Sequence, residues 1–184
     1  MTLKYTPLRS STTLQRFAFL VAMLTAATAL SGCSNNEKKK YAPPESLCGV
    51  SVEPDLLAPF LPPGKRISTQ LTRPNDGTQR CTVSVDDQLA LIAGQIWWYK
   101  TGTVEEIASV HARVNNGNVT TGNNFLYSGT GAVGKVDGCT NSTHPDKALF
   151  TTVQVFTSGQ EDASTMGQLI TRYTEHVRAG RDCE

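Results

Sequence analysis

The run LALIAGQIWWYK, residues 89–100, is apolar at both sets of alternating positions. Leu91 and Ala93 belong to one set, and Ile92 and Ile96 belong to the other. A strand that is apolar on both faces is covered on both sides, so the run predicts a central strand between two layers. A helix is the open alternative, because periodicity alone does not exclude one.

Helix and strand patterns alternate on either side of this run. Asp86, Asp87 and Gln88 fit a hairpin turn directly before it. The order of elements is α-β-β-β-α-β-β-β-α, which predicts an α+β fold with a mainly antiparallel sheet covered by helices. Further strands are predicted at 66–72, 80–86, 124–129, 131–140 and 148–157, and helices within 51–64, from Thr103 onward and at 162–179.

Each predicted helix has a start or stop signal. Ser51 is a candidate N-cap for the first helix, which ends at a Pro-Pro-Gly sequence. The second helix opens with a capping box at 103–106. The third helix, 162–179, ends at Gly180. Four residues at helical spacing are expected on the apolar side of the second helix: Val104, Ile107, Val110 and Val114.

The N-terminal segment has the pattern of a secretory signal. Lys4, Arg9 and Arg16 precede the apolar run FAFLVAMLTAATAL, residues 17–30, and no acid accompanies them. Fourteen residues fall short of the roughly 20 that a permanent transmembrane helix requires. We therefore predict a signal segment rather than a membrane span.

The motif Leu-Ser-Gly-Cys at 30–33 resembles a bacterial lipobox, in which small residues precede a cysteine. The resemblance implies cleavage before Cys33, a diacylglycerol on its sulfur, and a lipid anchor at the extracytoplasmic face of the cell membrane. An ordinary cleaved signal that leaves Cys33 as a thiol is the alternative. The expected organisation is a signal peptide at 1–32, a lipidated tether at 33–46 and one α+β extracytoplasmic domain at 47–184.

The chain contains five cysteines, an odd number for an exported protein. Lipidation of Cys33 removes the odd one, and two disulfides are the expected state of the other four in an oxidising compartment. Four cysteines allow three connectivities. We favour Cys48 with Cys81 and Cys139 with Cys183, because each pair would tie a helical segment to a neighbouring strand.

The predicted mature chain is almost neutral. Removing the signal leaves 14 basic and 16 acidic residues, a net charge of −2, with no basic stripe for a nucleic-acid backbone. Lys38, Lys39 and Lys40 form the only basic run. These lysines are interpreted either as a solvated part of the tether or as a contact with anionic lipid head groups. Such a contact would contribute about 1 kcal/mol of binding free energy for each lysine.

Three short motifs lie in the first half of the predicted domain: Leu-Cys-Gly at 47–49, Leu-Pro-Pro-Gly at 61–64 and Cys-Thr-Val-Ser-Val-Asp at 81–86. They resemble motifs of small cell-envelope lipoproteins of actinobacteria whose function is undefined. The resemblance covers residues 47–99. It implies a sheet with helices on its faces, in some members a Mog1/PsbP-like fold, and it transfers no catalytic residues.

The sequence GTGAVG at 129–134 matches the dinucleotide-binding pattern G-x-G-x-x-G. That site needs the loop between a strand and a helix. Here the loop leads into KVDGC at 135–139, which is strand-like, so a hairpin or bulge explains the glycines better.

Isolated residues offer no stronger catalytic signal. His111, His144 and His176 are far apart in sequence and are interpreted as solvated or core residues. Trp97 and Trp98 are interpreted as core residues, with a ligand pocket as the alternative. A cavity lined by Trp97 or Trp98 and closed to water would favour ligand binding, and a cleft in which a histidine meets a carboxylate within hydrogen-bond reach would favour catalysis. If neither is present, a protein partner is favoured.

The sequence therefore favours a membrane-anchored binding or interaction module of the cell envelope. The alternative is an envelope enzyme with a site assembled from dispersed residues. We predict no catalytic residue, no metal site and no cofactor. The expected partners are the membrane, through the N-terminal lipid, and either another envelope protein or a small ligand.

Overall fold

The computed structural model describes residues 38–114, 117–119 and 124–183, apart from the side chain of Val119. The predicted signal segment, Cys33 and the first residues of the predicted tether lie outside these ranges. Within them, no helix is both long enough and apolar enough to cross a membrane.

An antiparallel sheet of seven strands forms the centre of the described part of the chain. A separate hairpin of two short strands, β1 (Ser46–Leu47) and β2 (Val50–Ser51), precedes it. The seven strands are β3 (Ile67–Asn75), β4 (Thr78–Val85), β5 (Gln88–Tyr99), β6 (Asn118–Val119), β7 (Phe125–Tyr127), β8 (Gly131–Lys135) and β9 (Lys147–Val155). They lie side by side in the order β3-β4-β5-β9-β8-β7-β6.

Helices cover both faces of this sheet, which confirms the predicted α+β fold. They are α1 (Pro54–Leu57), extended by a 3₁₀ turn at Ala58–Phe60, α2 (Val104–His111) and α3 (Ala163–Arg178). Residues of α1 and α3 share a core with Leu91 and Val153. Residues of α2 share a second core with Ile96 and Phe150. Since side chains alternate between the faces of a strand, the two cores lie on opposite sides of the sheet.

Strand β5 occupies the predicted central position, paired with β4 on one side and β9 on the other. Leu91 and Ala93 enter the first core, and Ile96 enters the second. The helix alternative for this run is therefore wrong. The turn before β5 is a two-residue hairpin, because Asp86 and Asp87 have φ values of 48° and 66°, as the tightest hairpin turns require.

Two helix boundaries differ from the sequence-based expectation. Ser51 lies in β2, and Glu53 is the N-cap of α1, because Pro54 with its fixed φ starts the helix. Helix α2 ends at His111 and does not continue to Val114. The side-chain amide of Gln154 donates to the carbonyl oxygen of His111 at 2.6 Å, which satisfies one of the unpaired carbonyls at the helix end.

The third helix follows its prediction closely. The carboxylate of Asp162 accepts from the backbone N–H of Thr165 at 2.9 Å and caps the first turn. The Thr165 hydroxyl also donates to this carboxylate at 2.6 Å, and this bond, followed by the backbone one, holds the pKa of the Asp162 carboxyl below its usual value. Met166, Leu169, Ile170, Tyr173 and Val177 are buried at helical spacing against the sheet.

Two disulfides join the favoured cysteine pairs. Cys48 bonds to Cys81 with a Cα–Cα distance of 5.6 Å, and Cys139 bonds to Cys183 at 4.8 Å. The first bond joins the β1–β2 turn to β4, so the expectation that it ties a helix to a strand is wrong. The second joins the loop after β8 to the segment that follows α3.

The predicted tether makes contact with the domain before Leu47. Lys39 forms a parallel bridge with Gly64, and the N–H of Lys40 donates to the carbonyl of Gly64 at 2.7 Å. The hydroxyl of Tyr41 donates to the carbonyl of Pro62. Residues 39–41 are thus held along the loop that follows α1, which differs from the free coil expected there.

Candidate functional site

The three histidines lie in different parts of the fold. His144 stacks on Trp97, with ring centroids 4.8 Å apart and planes only 5° from parallel. His176 approaches Glu53 at 3.6 Å, which is beyond hydrogen-bond distance, and both side chains are more than 40% exposed. Neither His144 nor His176 forms the histidine–carboxylate hydrogen bond that would favour catalysis.

His111 lies beside a groove on the sheet face that carries α2. We call this cavity, of about 280 Å³, the His111 groove. Ile92 and Ile96 of β5 form part of its lining, together with Arg80, His111, Gln154 and Phe156. The residues that line it include no aspartate and no glutamate.

The groove exists because α2 covers only part of its face. The helix has eight residues, about 12 Å in length, and it packs against β7, β8 and β9. The β4 side of this face is left without a helix. Gly94 has no side chain to fill the bottom of the groove, and a Cβ at this position would lie 2.5 Å from the hydroxyl of Thr152. The groove thus follows from the early end of α2 and from close packing between β5 and β9.

The imidazole of His111 presents an unsatisfied nitrogen. Its Nε2 atom is buried and has no hydrogen-bond partner among the residues that the structure describes. The ring meets the indole of Trp98 edge to face, with centroids 5.5 Å apart. Burial lowers the pKa of His111, and the positive charge of Arg80 lowers it further. The ring is therefore held neutral near pH 7, and its Nε2 is shielded from solvent without a bonding partner among the described residues.

This arrangement suits binding better than chemistry. It combines a guanidinium group, an unpartnered imidazole nitrogen, the amide of Gln154 and two isoleucines. Such a pocket has convergent polar groups above two isoleucines and one group with a perturbed pKa, which are features of a small-molecule site. A general base would need a partner carboxylate or a nucleophile in reach. The lining has no carboxylate, and its threonine hydroxyls, those of Thr78 and Thr152, do not bond to His111 Nε2.

A larger open cleft lies beside the C-terminal end of α3. It has a volume of about 670 Å³ and is lined in part by Arg73, Gln79 and Asp182. Three of its polar groups bond to one another: Gln79 donates to the Asp182 carboxylate at 3.3 Å, and Arg73 donates to Gln79 at 3.4 Å. His176 and Arg181 also line this cleft.

The two tryptophans occupy positions between core and surface. Trp97 packs against the core beneath α3 and lines a small open cleft of about 160 Å³. Trp98 packs against the core beneath α2, and its indole N–H donates to Glu106 at 3.0 Å. Neither ring lines the His111 groove directly.

The glycine motif at 129–134 forms the turn of a hairpin. It joins β7 to β8, and the N–H of Ser128 donates to the carbonyl of Gly131 at 2.8 Å. No helix follows the loop, so the nucleotide-binding geometry is absent from this segment. Gly134 instead allows close packing, because a Cβ there would lie 2.3 Å from the hydroxyl of Thr174.

We looked for clusters of metal-ligating side chains in the fold. The described residues contain no group of three or more histidine, cysteine, aspartate or glutamate side chains placed to hold an ion. The carboxylate of Asp86 is bonded to the backbone N–H groups of Lys65 and Arg66, each at 2.9 Å. These donors hold the pKa of Asp86 below its usual value.

Comparisons with known proteins give no relative for this chain: no family model, no curated protein and no solved structure matches it. The function must therefore be argued from the residues and their geometry.

The lowered pKa of His111 predicts a pH dependence of stability. The unfolded chain takes up a proton near the usual histidine pKa of 6.5, whereas the folded chain resists protonation until lower pH. The contribution of neutral His111 to the free energy of unfolding should therefore be fully present above pH 6.5. It should decrease as the pH falls through the pKa of His111 in the folded state. Urea unfolding at pH 7 and pH 5 measures the loss, and imidazole NMR resonances give the pKa directly.

Matched histidine variants separate this effect from general acid sensitivity. His111→Gln should reduce the loss of stability between pH 7 and pH 5, and His144→Gln should leave it unchanged. An NMR pKa of His111 at or above 6.5 would contradict the burial of its ring.

Proposed function

We propose that the chain is a lipid-anchored extracytoplasmic protein that binds a small amphipathic ligand in the His111 groove. The observation that carries the ligand site is the buried, unpartnered Nε2 of His111 beside Arg80. A buried polar atom without a partner costs free energy, and such atoms are uncommon in folded proteins. A ligand that displaces the side chains covering this nitrogen and bonds to it removes the cost.

The chemistry of the lining defines the ligand class. Ile92 and Ile96 offer an apolar floor, which favours a ligand with an apolar body. Arg80 offers five N–H donors and a permanent charge, which favours a carboxylate or a similar anion. The neutral imidazole contributes one further hydrogen bond. A small molecule with an apolar body and an anionic end fits these groups best.

The anchor part of the proposal rests on the sequence of residues 1–33. A charged start, a short apolar run and the Leu-Ser-Gly-Cys motif all favour export and lipidation at Cys33. The two disulfides of the domain agree with an oxidising compartment.

Benzoate and benzamide test the ligand class, because they share an apolar ring and differ in charge. We expect the mature protein to bind benzoate more tightly than benzamide, by about tenfold, since a hydrogen bond to a charged group contributes about 1–1.5 kcal/mol more than one to a neutral group. Arg80→Gln should bring the two affinities together. Titration followed by the imidazole resonances of His111 measures both affinities.

Arg172→Gln is the matched control, because Arg172 lies on α3 and pairs with Glu175 at 3.0 Å, away from the groove. This variant should keep the preference for benzoate. Equal binding of benzoate and benzamide by the unaltered protein would refute an anion-binding groove.

A further inference from the structure

Two basic segments that are distant in sequence meet at one end of the domain. The first is Lys38–Lys40, and the second is Lys65–Arg66, next to Gly64. The bridge between Lys39 and Gly64 and the 2.7 Å hydrogen bond from Lys40 to Gly64 hold the two segments together. All five side chains belong to exposed residues. We call these five residues the basic end.

The contacts that form the basic end involve several groups of the preceding loop. The ammonium group of Lys39 donates to the carbonyl of Ala58, and the Tyr41 hydroxyl donates to the carbonyl of Pro62. Gly64 fits closely at this point, since a Cβ would lie 2.3 Å from Val85. The segment that leads to the predicted anchor is therefore fixed against the domain from residue 39.

Two acids lie against the basic end without cancelling its charge. The carboxylate of Asp86 accepts hydrogen bonds from the backbone N–H groups of Lys65 and Arg66. Asp87 approaches the guanidinium of Arg66 at 3.6 Å, and both of these side chains are more than three-quarters exposed. Exposed pairs of this kind contribute little, so the five cations outweigh these two acids and Glu37, which precedes Lys38 in the sequence.

The basic end lies at one extreme of the sheet. It adjoins the Asp86–Asp87 turn, from which β5 runs twelve residues to Tyr99. At about 3.3 Å for each residue, the opposite end of β5 lies roughly 35–40 Å away. Lys100 follows β5 there, and Lys147 pairs with Tyr99. These two lysines provide a reference at the far end of the molecule.

The predicted anchor is close to the basic end along the chain. Cys33 precedes Lys38 by five residues, which span at most about 17–18 Å when fully extended. A lipid on Cys33 therefore keeps the basic end near the bilayer surface, where anionic head groups attract lysine and arginine. A covalently attached lipid and a basic patch together are a recognised pair of membrane signals.

We infer that the basic end docks on an anionic phospholipid surface and orients the domain with the Asp86–Asp87 turn toward the membrane. The inference rests on the proposed lipid anchor at Cys33. It assigns to Lys65 and Arg66 a role that their position in the sequence does not reveal. In this orientation the far end of β5, with Lys100 and Lys147, points away from the bilayer.

Lysine acetylation measured by peptide mass spectrometry tests this orientation. The mature lipoprotein is reconstituted in vesicles of phosphatidylcholine alone or with added phosphatidylglycerol. On the anionic vesicles, acetylation of Lys38, Lys40 and Lys65 should slow severalfold, and acetylation of Lys100 and Lys147 should not change. High salt should remove the protection, because it screens charges at the surface.

Charge variants supply the matched control. Lys65→Gln combined with Arg66→Gln should weaken docking, by about fivefold in the docking equilibrium for each charge removed. The acetylation of Lys38 and Lys40 should then slow less on anionic vesicles. Lys100→Gln combined with Lys147→Gln should leave that protection intact.

The outcomes separate this inference from the proposed anchor. Failure of the protein to float with neutral vesicles would overturn the anchor, and with it the docking. Flotation with both kinds of vesicle but equal acetylation at both ends would overturn the docking alone. Protection that appears only in the native envelope, and not on anionic vesicles, would show that a protein covers the basic end instead.

Discussion

Removing the Cys139–Cys183 disulfide by Cys139→Ala and Cys183→Ala is expected to lower the free energy of unfolding by about 3–4 kcal/mol. The bond closes a segment with a sequence separation of 44, which includes β9 and α3. In the chain-entropy account, opening this loop gives the unfolded chain more conformations and so favours it. Urea unfolding without reductant measures the change.

The native state contributes a second reason for this effect. Asn141 donates to the carbonyl of Asp182 at 3.0 Å, and the Asp182 carboxylate accepts from Gln79. The disulfide holds Asp182, the neighbour of Cys183, in place for both contacts.

The other disulfide is the natural comparison. Cys48→Ala with Cys81→Ala opens a loop with a sequence separation of 33, which differs little in closure entropy. Nearly equal losses for the two pairs would support the entropic account. A loss below about 1 kcal/mol for Cys139 and Cys183 would contradict it, because the model assigns several kcal/mol to a loop of this length.

Replacing Cys33 by serine is expected to move the protein from the membrane fraction to the soluble fraction. Serine has no thiol to carry the thioether-linked lipid, so the strongest membrane attachment would be lost. The basic end alone is too weak to hold the chain on a bilayer at physiological salt. Fractionation of cells after a high-salt wash measures the distribution.

Ser34→Ala is the control for Cys33→Ser, because it alters the neighbouring hydroxyl and leaves the thiol in place. This variant should stay with the membrane. If the Cys33→Ser protein stays with the membrane after the same wash, the lipid anchor is refuted.

The elements with strong local signals could be predicted from the sequence. Strand β5 was predictable because its residues are apolar at both sets of alternating positions, and these two sets pack into two different cores. Helix α3 was predictable because a capping aspartate, a regular apolar stripe and a terminal glycine agree with one another. The disulfide pairing was also confirmed, although the argument for Cys48 rested on a helix where the structure has a hairpin.

Features that depend on distant residues could not be predicted. The apolar spacing of Val110 and Val114 suggested a longer α2, but Val110 is 62% exposed and Gln154 closes the helix end. The short strands β1 and β2 have too few residues to show a pattern.

The His111 groove was missed for the same reason. Arg80, Ile92, His111 and Gln154 come from β4, β5, α2 and β9, and no spacing in the sequence connects them. One signal was present: His111 follows Val110 near the end of a predicted amphipathic helix, where a histidine often lies at the edge of a core. The unpartnered nitrogen and the absence of acidic neighbours become visible only in the folded chain.

Intermolecular NOE measurements on the mature protein with bound benzoate test the central claim most directly. The proposal predicts contacts between the benzoate ring protons and the methyl groups of Ile92 and Ile96, with further contacts to the imidazole of His111. Contacts instead with Val50 and Leu71, which line the larger cleft beside α3, would place the ligand elsewhere and contradict the His111 groove as the binding site.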